Sequence, residues 1–220
     1  MENEVYREVV YDHVIDYINS FSNPEYLKDM RDYAIENHVP IVEKETESFI
    51  KFLFSTTKPK KVLELGTAIG YSAISFTTDS TIESYTTVEL REDFTNIARD
   101  NIKKYGLDKK IEVLNGDAYE VVQTLQDQYD IIFIDAAKGQ YKKYFDKCEK
   151  LLKEEGIIIC DNILFRGMVT KKELAVRRKR TIIKRLNEFI SYVKKDERFV
   201  SSILPIGDGL LLVRRKVWKK

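Results

Sequence analysis

The apolar positions change period once along the chain, near the segment KPKKVLELG. Before it, VYREVVYDHVIDYI (5–18), PEYLKDMRDYAIEN (24–37) and ETESFIKFLFSTT (45–57) carry apolar residues three or four apart, the spacing of amphipathic helices. After it, short runs rich in β-branched residues predict strands: KVLELG, YTTVEL, KIEVLNG, YDIIFID and GIIICDN. Between them YSAISFTTD, REDFTNIARDNIKKYG, DAYEVVQTLQ and YKKYFDKCEKLLKEEG return to helical spacing. Strands separated by helices imply a parallel sheet covered on both faces. A long helix, KELAVRRKRTIIKRLNEFISYVKK (172–195), then precedes RFVSSILPI and GLLLVRRK, two strands joined closely through GDG. The expected architecture is α/β: a mostly parallel sheet with one antiparallel strand, helices on both faces, and residues 1–57 as a helical extension of a single domain spanning 1–220.

At 220 residues the chain can bury one sizeable core. A 43% hydrophobic and 33% charged composition describes a soluble protein, and no apolar run approaches the ~18 residues that would cross a bilayer. The start, MENEVYREVV, lacks the basic and apolar parts of a signal peptide. Two cysteines, Cys148 and Cys160, make neither a disulfide framework nor a zinc cluster, so the expected compartment is the cytoplasm, with no membrane partner. Net charge is +1, so affinity for nucleic acid has to come from a local patch. One such patch exists: nine basic residues and a single acid, Glu173, lie between Arg166 and Arg185.

Open sheets of this kind bind ligands beyond the carboxyl ends of their strands. The first strand ends in ELGTAIGYS, where Gly66 and Gly70 let the backbone turn tightly and approach a ligand. The second ends in Glu89, 19 residues past Gly70, about where an acidic residue meets ribose hydroxyls in nucleotide-binding units. NGDAYE follows the third and puts Asp117 on the same rim. The spacing is G-x-x-x-G and the dinucleotide pattern G-x-G-x-x-G is absent, so a plain tight turn also fits the glycines. The fourth and fifth strands end in Asp135 and in Asp161–Asn162. If those strands are neighbours, two carboxylates and an amide oxygen converge, a set suited to Mg²⁺ or another hard cation. A helix cap at Asp135 and a turn at Asp161–Asn162 are the alternative uses of the same residues. Lys138, three residues beyond Asp135, is the leading candidate base.

Taken together, VLELGTAIGYSAI, VEL, NGDA, IDAAKGQY, CDNILFRG and LPIGDGLLLVRR resemble the cation-dependent class I O-methyltransferases, which include the catechol and caffeoyl-CoA enzymes. The likeness runs over essentially the whole chain and implies a Rossmann-like sheet. Within the group, HVPIVEK, GTAIGYSAI, IDAAKGQY and DNILFRGMV are closer to the bacterial enzymes that methylate 5-hydroxyuridine at the tRNA wobble position. The resemblance implies S-adenosylmethionine as the ligand, with Val42, Ser72 and the Gly66 turn at its methionine end and Glu89 at the ribose. Asp117 and Ala118 would border the adenine, and Asp135 would touch the cofactor while also binding metal with Asp161 and Asn162. Lys138 matches the family's catalytic lysine. A homodimer is also implied.

On that resemblance the acceptor is a tRNA anticodon loop, gripped by Arg166, Arg177, Arg178, Lys179 and Arg180. The competing use of the basic run is a solvated helix face, because Ile182, Ile183, Leu186, Phe189, Ile190 and Val193 give the same helix an apolar side. Two other functions fit the residues: methylation of a small catechol-like or caffeoyl-CoA-like molecule, and a non-catalytic nucleotide- or RNA-binding module. Binding without turnover on any acceptor would single out the last.

Overall fold

The computed structural model describes residues 10–23, 25–171 and 176–216. Residues 5–9 of the first predicted helix, Pro24 of the second and 172–175 of the long one lie outside the described residues. Three helices come first: α1 (Asp12–Asn19), α2 (Lys28–Glu36) and α3 (Lys44–Thr57). The alternating part follows as β1 (Lys61–Leu65), α4 (Tyr71–Thr77), β2 (Ser84–Glu89), α5 (Glu92–Lys104), β3 (Ile111–Asn115), α6 (Ala118–Thr124), β4 (Tyr129–Ile134), α7 (Tyr141–Leu151) and β5 (Leu152–Cys160). The chain closes with α8 (Arg180–Lys195), β6 (Phe199–Leu204) and β7 (Leu210–Arg215).

The sheet order is β3-β2-β1-β4-β5-β7-β6. β1 to β5 pair in parallel, and β7 runs antiparallel to both its neighbours, as the GDG hairpin predicts. Alternation along the buried strands divides the core into two layers. Val62, Ile131, Phe133 and Ile159 face one layer, closed by α4, α5 and the N-terminal helices through Ile74, Ala98, Ile50 and Phe54. Leu63, Ile132, Ile134 and Ile158 face the other, closed by α7 and α8 through Phe145, Cys148, Leu186 and Phe189. Aromatic edges lock that second layer: Phe145 meets Phe189 at 5.6 Å and Phe199 at 5.5 Å between ring centroids.

Helices α1 and α2 start later than the pattern predicts, at Asp12 and Lys28, and two further boundaries bear on the sheet and the basic run. The helix expected through KCEKLLKEEG stops at Leu151, and Leu152 onward joins the sheet beside Tyr129. Lys153 then pairs with Asp130 at 2.8 Å, so the charged residues sit on the rim of a strand. α8 begins at Arg180, after a 3-10 turn at Arg177–Lys179. Among the described residues no helix is long and apolar enough to cross a membrane.

Candidate active site

The sheet order reverses between β1 and β4, leaving a crevice at their carboxyl ends. Backbone pairing continues one residue past several strands there. Gly66 donates to Val88 O at 2.9 Å, Asp135 to Leu65 O at 2.9 Å, and Asp161 to Ile134 O at 3.0 Å. The residues that follow each strand are therefore held in the register of the sheet.

On the β1–β3 side, Gly66 adopts φ +108°, and a Cβ there would stand 2.0 Å from the backbone oxygen of Asp135. Only glycine allows both the turn and that approach. Glu89 accepts from the Ala68 N–H at 2.8 Å and the Arg91 N–H at 2.9 Å, which fixes its carboxylate across the mouth of the turn. Asp117 caps α6, accepting from the N–H groups of Tyr119 and Glu120, and Ala118 opens that helix. Ser72 is buried on α4 and donates to Glu64, which also accepts from the Thr87 hydroxyl at 2.6 Å. Burial pushes the fully enclosed Glu64 carboxyl up to about 7 despite those bonds. Val42 is buried in the core layer that α4, α5 and the N-terminal helices close.

On the β4–β5 side, the pairing of Ile134 with Cys160 sets Asp135 and Asp161 at adjacent strand ends. Asp135 does not serve as a helix cap: neither the 3-10 turn at Lys138–Gln140 nor α7 has a side-chain cap. Burial pushes Asp135 up to about 6, partly opposed by Lys138. Asp161, 3% exposed, is held well above the carboxylate range by burial and then by Asp135. Its Oδ1 accepts from the Asn162 N–H at 2.6 Å, and its backbone oxygen accepts from the Tyr141 hydroxyl at 2.7 Å. Asn162 sits at φ +54°, a left-handed conformation that asparagine tolerates better than most residues. Among the described residues no three His, Cys, Asp or Glu side chains form a metal-holding group, so a cation here depends on the Asn162 oxygen.

Two acids that sequence reasoning missed complete this side. Asp208, in the GDG turn, stands 3.7 Å from Lys138 Nζ, and its other carboxylate oxygen accepts from the Arg166 N–H. Burial raises it, opposed by that N–H and by Lys138. Glu43 is raised by burial and by Glu45 and Asp208. A Cβ on Gly207 would lie 2.1 Å from Glu43 Oε2. Two glycines flanking an acid were the available signal: they mark a turn pressed against other chain segments, beyond merely closing a hairpin.

The basic residues divide. Lys179 and Lys138 converge on one aromatic ring, with their Nζ atoms 5.5 and 5.3 Å from the centre of Phe165. Arg166, Arg177, Arg178 and Arg180 are exposed. Ile183, Leu186, Phe189 and Val193 of α8 are buried, so the apolar face and the basic rim coexist.

Fold and site together define a class: an α/β protein with a tight glycine turn on one side of the crevice and a carboxylate–lysine cluster on the other. Residues 18–216 match the family described as O-methyltransferase. A caffeoyl-CoA O-methyltransferase from Stellaria longipes is 33% identical over 209 residues, covering 87% of this chain and 83% of that one. A Staphylococcus aureus structure with a provisional caffeoyl-CoA O-methyltransferase assignment superposes with a TM-score of 0.86 at 33% identity, covering 93% of this chain and 100% of that one. The Podospora anserina methyltransferase PaMTH1, solved with SAH bound, gives 0.84 at 27% identity, covering 94% and 95%. The chain belongs to the O-methyltransferase family.

Proposed function

We propose that the protein is an S-adenosylmethionine- and Mg²⁺-dependent O-methyltransferase that converts 5-hydroxyuridine to 5-methoxyuridine at the wobble position of tRNA. The observation that carries the chemistry is the shared crevice: the Gly66 turn and Glu89 lie on one side, Asp135, Asp161 and Lys138 on the other. SAH in the Podospora relative supports the cofactor.

The donor chemistry fits a hard divalent cation. Asp135 and Asp161 are enclosed, burial raises both and Asp135 raises Asp161 further, so a positive charge between them would relieve both. Asp135, Asp161 and Asn162 would hold it, all through oxygen. Such an ion would make an adjacent hydroxyl of the acceptor more acidic. S-adenosylmethionine would supply an electrophilic methyl group on its sulfonium. The chain's own residues do the rest. Glu89 orients the ribose end, and the Gly66 turn lets the backbone approach closely. Lys138, in its neutral amine form, would take the hydroxyl proton at Nζ, and Asp208 beside it would balance the ammonium so formed. The rate gain then comes mainly from alignment of oxygen and methyl.

For the acceptor, the sequence likeness to the tRNA enzymes and the basic rim around Phe165 support RNA. A caffeoyl-CoA-like acceptor is the second reading, favoured by the name of the Stellaria relative; its phosphates could use the same rim. Mass spectrometry of tRNA nucleosides from cells lacking the protein decides between them. Loss of 5-methoxyuridine with accumulation of 5-hydroxyuridine is expected. Unchanged 5-methoxyuridine, with no second enzyme making it, would overturn the tRNA assignment.

A further inference from the structure

We infer that the groove between segment 168–171 and α8 seats the polynucleotide strand flanking the methylated residue. The inference rests on the tRNA reading and adds the surface that carries recognition past the target base. The groove has a volume of about 960 Å³. Its floor is apolar, built from the buried Met168 and Ile183 and the half-buried Val169. Its rim carries the exposed cations Lys171, Arg180 and Lys184. Asn187 ties the two walls together by donating to Val169 O at 3.1 Å.

The groove adjoins the active corner. Lys179, immediately before Arg180, shares the Phe165 ring with Lys138, so one aromatic side chain links the two. A small acceptor would end at that ring. A polymer would continue into the groove. From Arg180 to Asn187 the helix advances roughly 10 Å, against about 3.4 Å of rise per nucleotide along a strand, which leaves room for two or three nucleotides. Cations above an apolar floor suit this ligand, because phosphates take the rim while unstacked bases take the floor. Among the described residues the one acid on the rim, Glu188, is 3.8 Å from Lys184, an exposed pair that a phosphate can displace.

The test uses the full-length protein with magnesium and two acceptors: an anticodon stem-loop containing 5-hydroxyuridine, and the free nucleoside. Lys171→Gln with Lys184→Gln should lower kcat/KM on the stem-loop at least tenfold, through KM. The slope of log affinity against log salt should flatten by about 1.4, at about 0.7 per lost single-strand phosphate contact. Val169→Trp, which fills the floor, should act on the stem-loop in the same direction. Transfer to the nucleoside and cofactor affinity by calorimetry should stay within twofold. An unchanged stem-loop KM and salt slope would overturn the groove while leaving the tRNA reading intact. Equal losses on both acceptors would also overturn it, since the groove would then be structural. A wild-type enzyme that methylates catechols but no RNA would sink the tRNA reading and the groove with it.

Discussion

The two sides of the crevice treat their acids differently. On the β1–β3 side, Glu89 and Asp117 each accept two backbone N–H groups, so both carboxylates are anchored by the chain itself. On the β4–β5 side, Asp135, Asp161, Glu43 and Asp208 crowd together, and burial raises every one of them. Lys138 is the cation that recurs among the influences on all four. The first side is complete before any ligand arrives. The second holds more buried acids than its own lysine can keep ionised. Buried charge without compensation is costly, and sites keep it where a ligand or ion supplies the remainder. Changes on the second side should therefore destroy turnover, and changes on the first should weaken binding.

The largest effect should follow from Lys138→Ala, which removes the group proposed to accept the proton. A fall in kcat of ~10²–10⁴-fold is the usual scale for a lost general base, with S-adenosylmethionine affinity by calorimetry nearly unchanged. An equal loss in cofactor affinity would move Lys138 to the binding side of the comparison. Asp161→Ala should cost ~10²–10³-fold in kcat, the scale of lost charge stabilisation at a reacting centre. EDTA should imitate it in the wild type, and Mg²⁺ should restore activity. Without metal, the same substitution should leave thermal stability near pH 8 equal or higher, because it removes one of two repelling buried acids. Full activity in chelator would sink the cation assignment.

The contrast also explains how much could be read from the sequence. Asp135, Asp161 and Asn162 were legible because each ends an apolar run, and a parallel sheet brings such ends to one rim. Gly66 and Glu89 were legible for the same reason. Asp208 and Glu43 were not, because they reach the site through long-range packing of the GDG turn on the N-terminal segment. Periodicity carries no record of that contact. The Leu151–Leu152 boundary was missed for a related cause: LLKEEG suits a helix locally, and pairing with Tyr129 overrides the preference. At Ser72 the family resemblance implied a cofactor contact, and the structure adds the buried Glu64 to which its hydroxyl donates.

Glu64 gives the next prediction, because it is the acid of the first side that backbone donors do not anchor. Its folded value of about 7 lies above the ordinary 4.5. The native state therefore holds this proton more tightly than the unfolded chain does. That stability is fully present below pH 4.5 and is lost as pH rises through 7. Over that window the wild type should lose roughly 3 kcal/mol at this residue, at about 1.4 kcal/mol per pH unit of displacement. Glu64→Gln keeps the shape without the charge, so its urea-unfolding stability minus that of the wild type should grow across the same window. A difference independent of pH would mean the carboxyl stays ionised throughout.

The smallest effect should come from Glu89, and it tests whether the first side is as complete as it looks. A carboxylate offers about four lone-pair sites, and Ala68 and Arg91 occupy two of them. The remainder are free for the two ribose hydroxyls of S-adenosylmethionine. Glu89→Ala should weaken cofactor binding by ~1–3 kcal/mol, the range for hydrogen bonds to a charged group, with kcat at saturating cofactor nearly unchanged. Glu89→Gln retains one acceptor oxygen and should fall between alanine and the wild type. Should alanine and glutamine weaken binding equally, the charge rather than the number of acceptors would be what the ribose reads. A collapse of kcat at saturating cofactor would put Glu89 among the turnover residues and erase the division between the two sides.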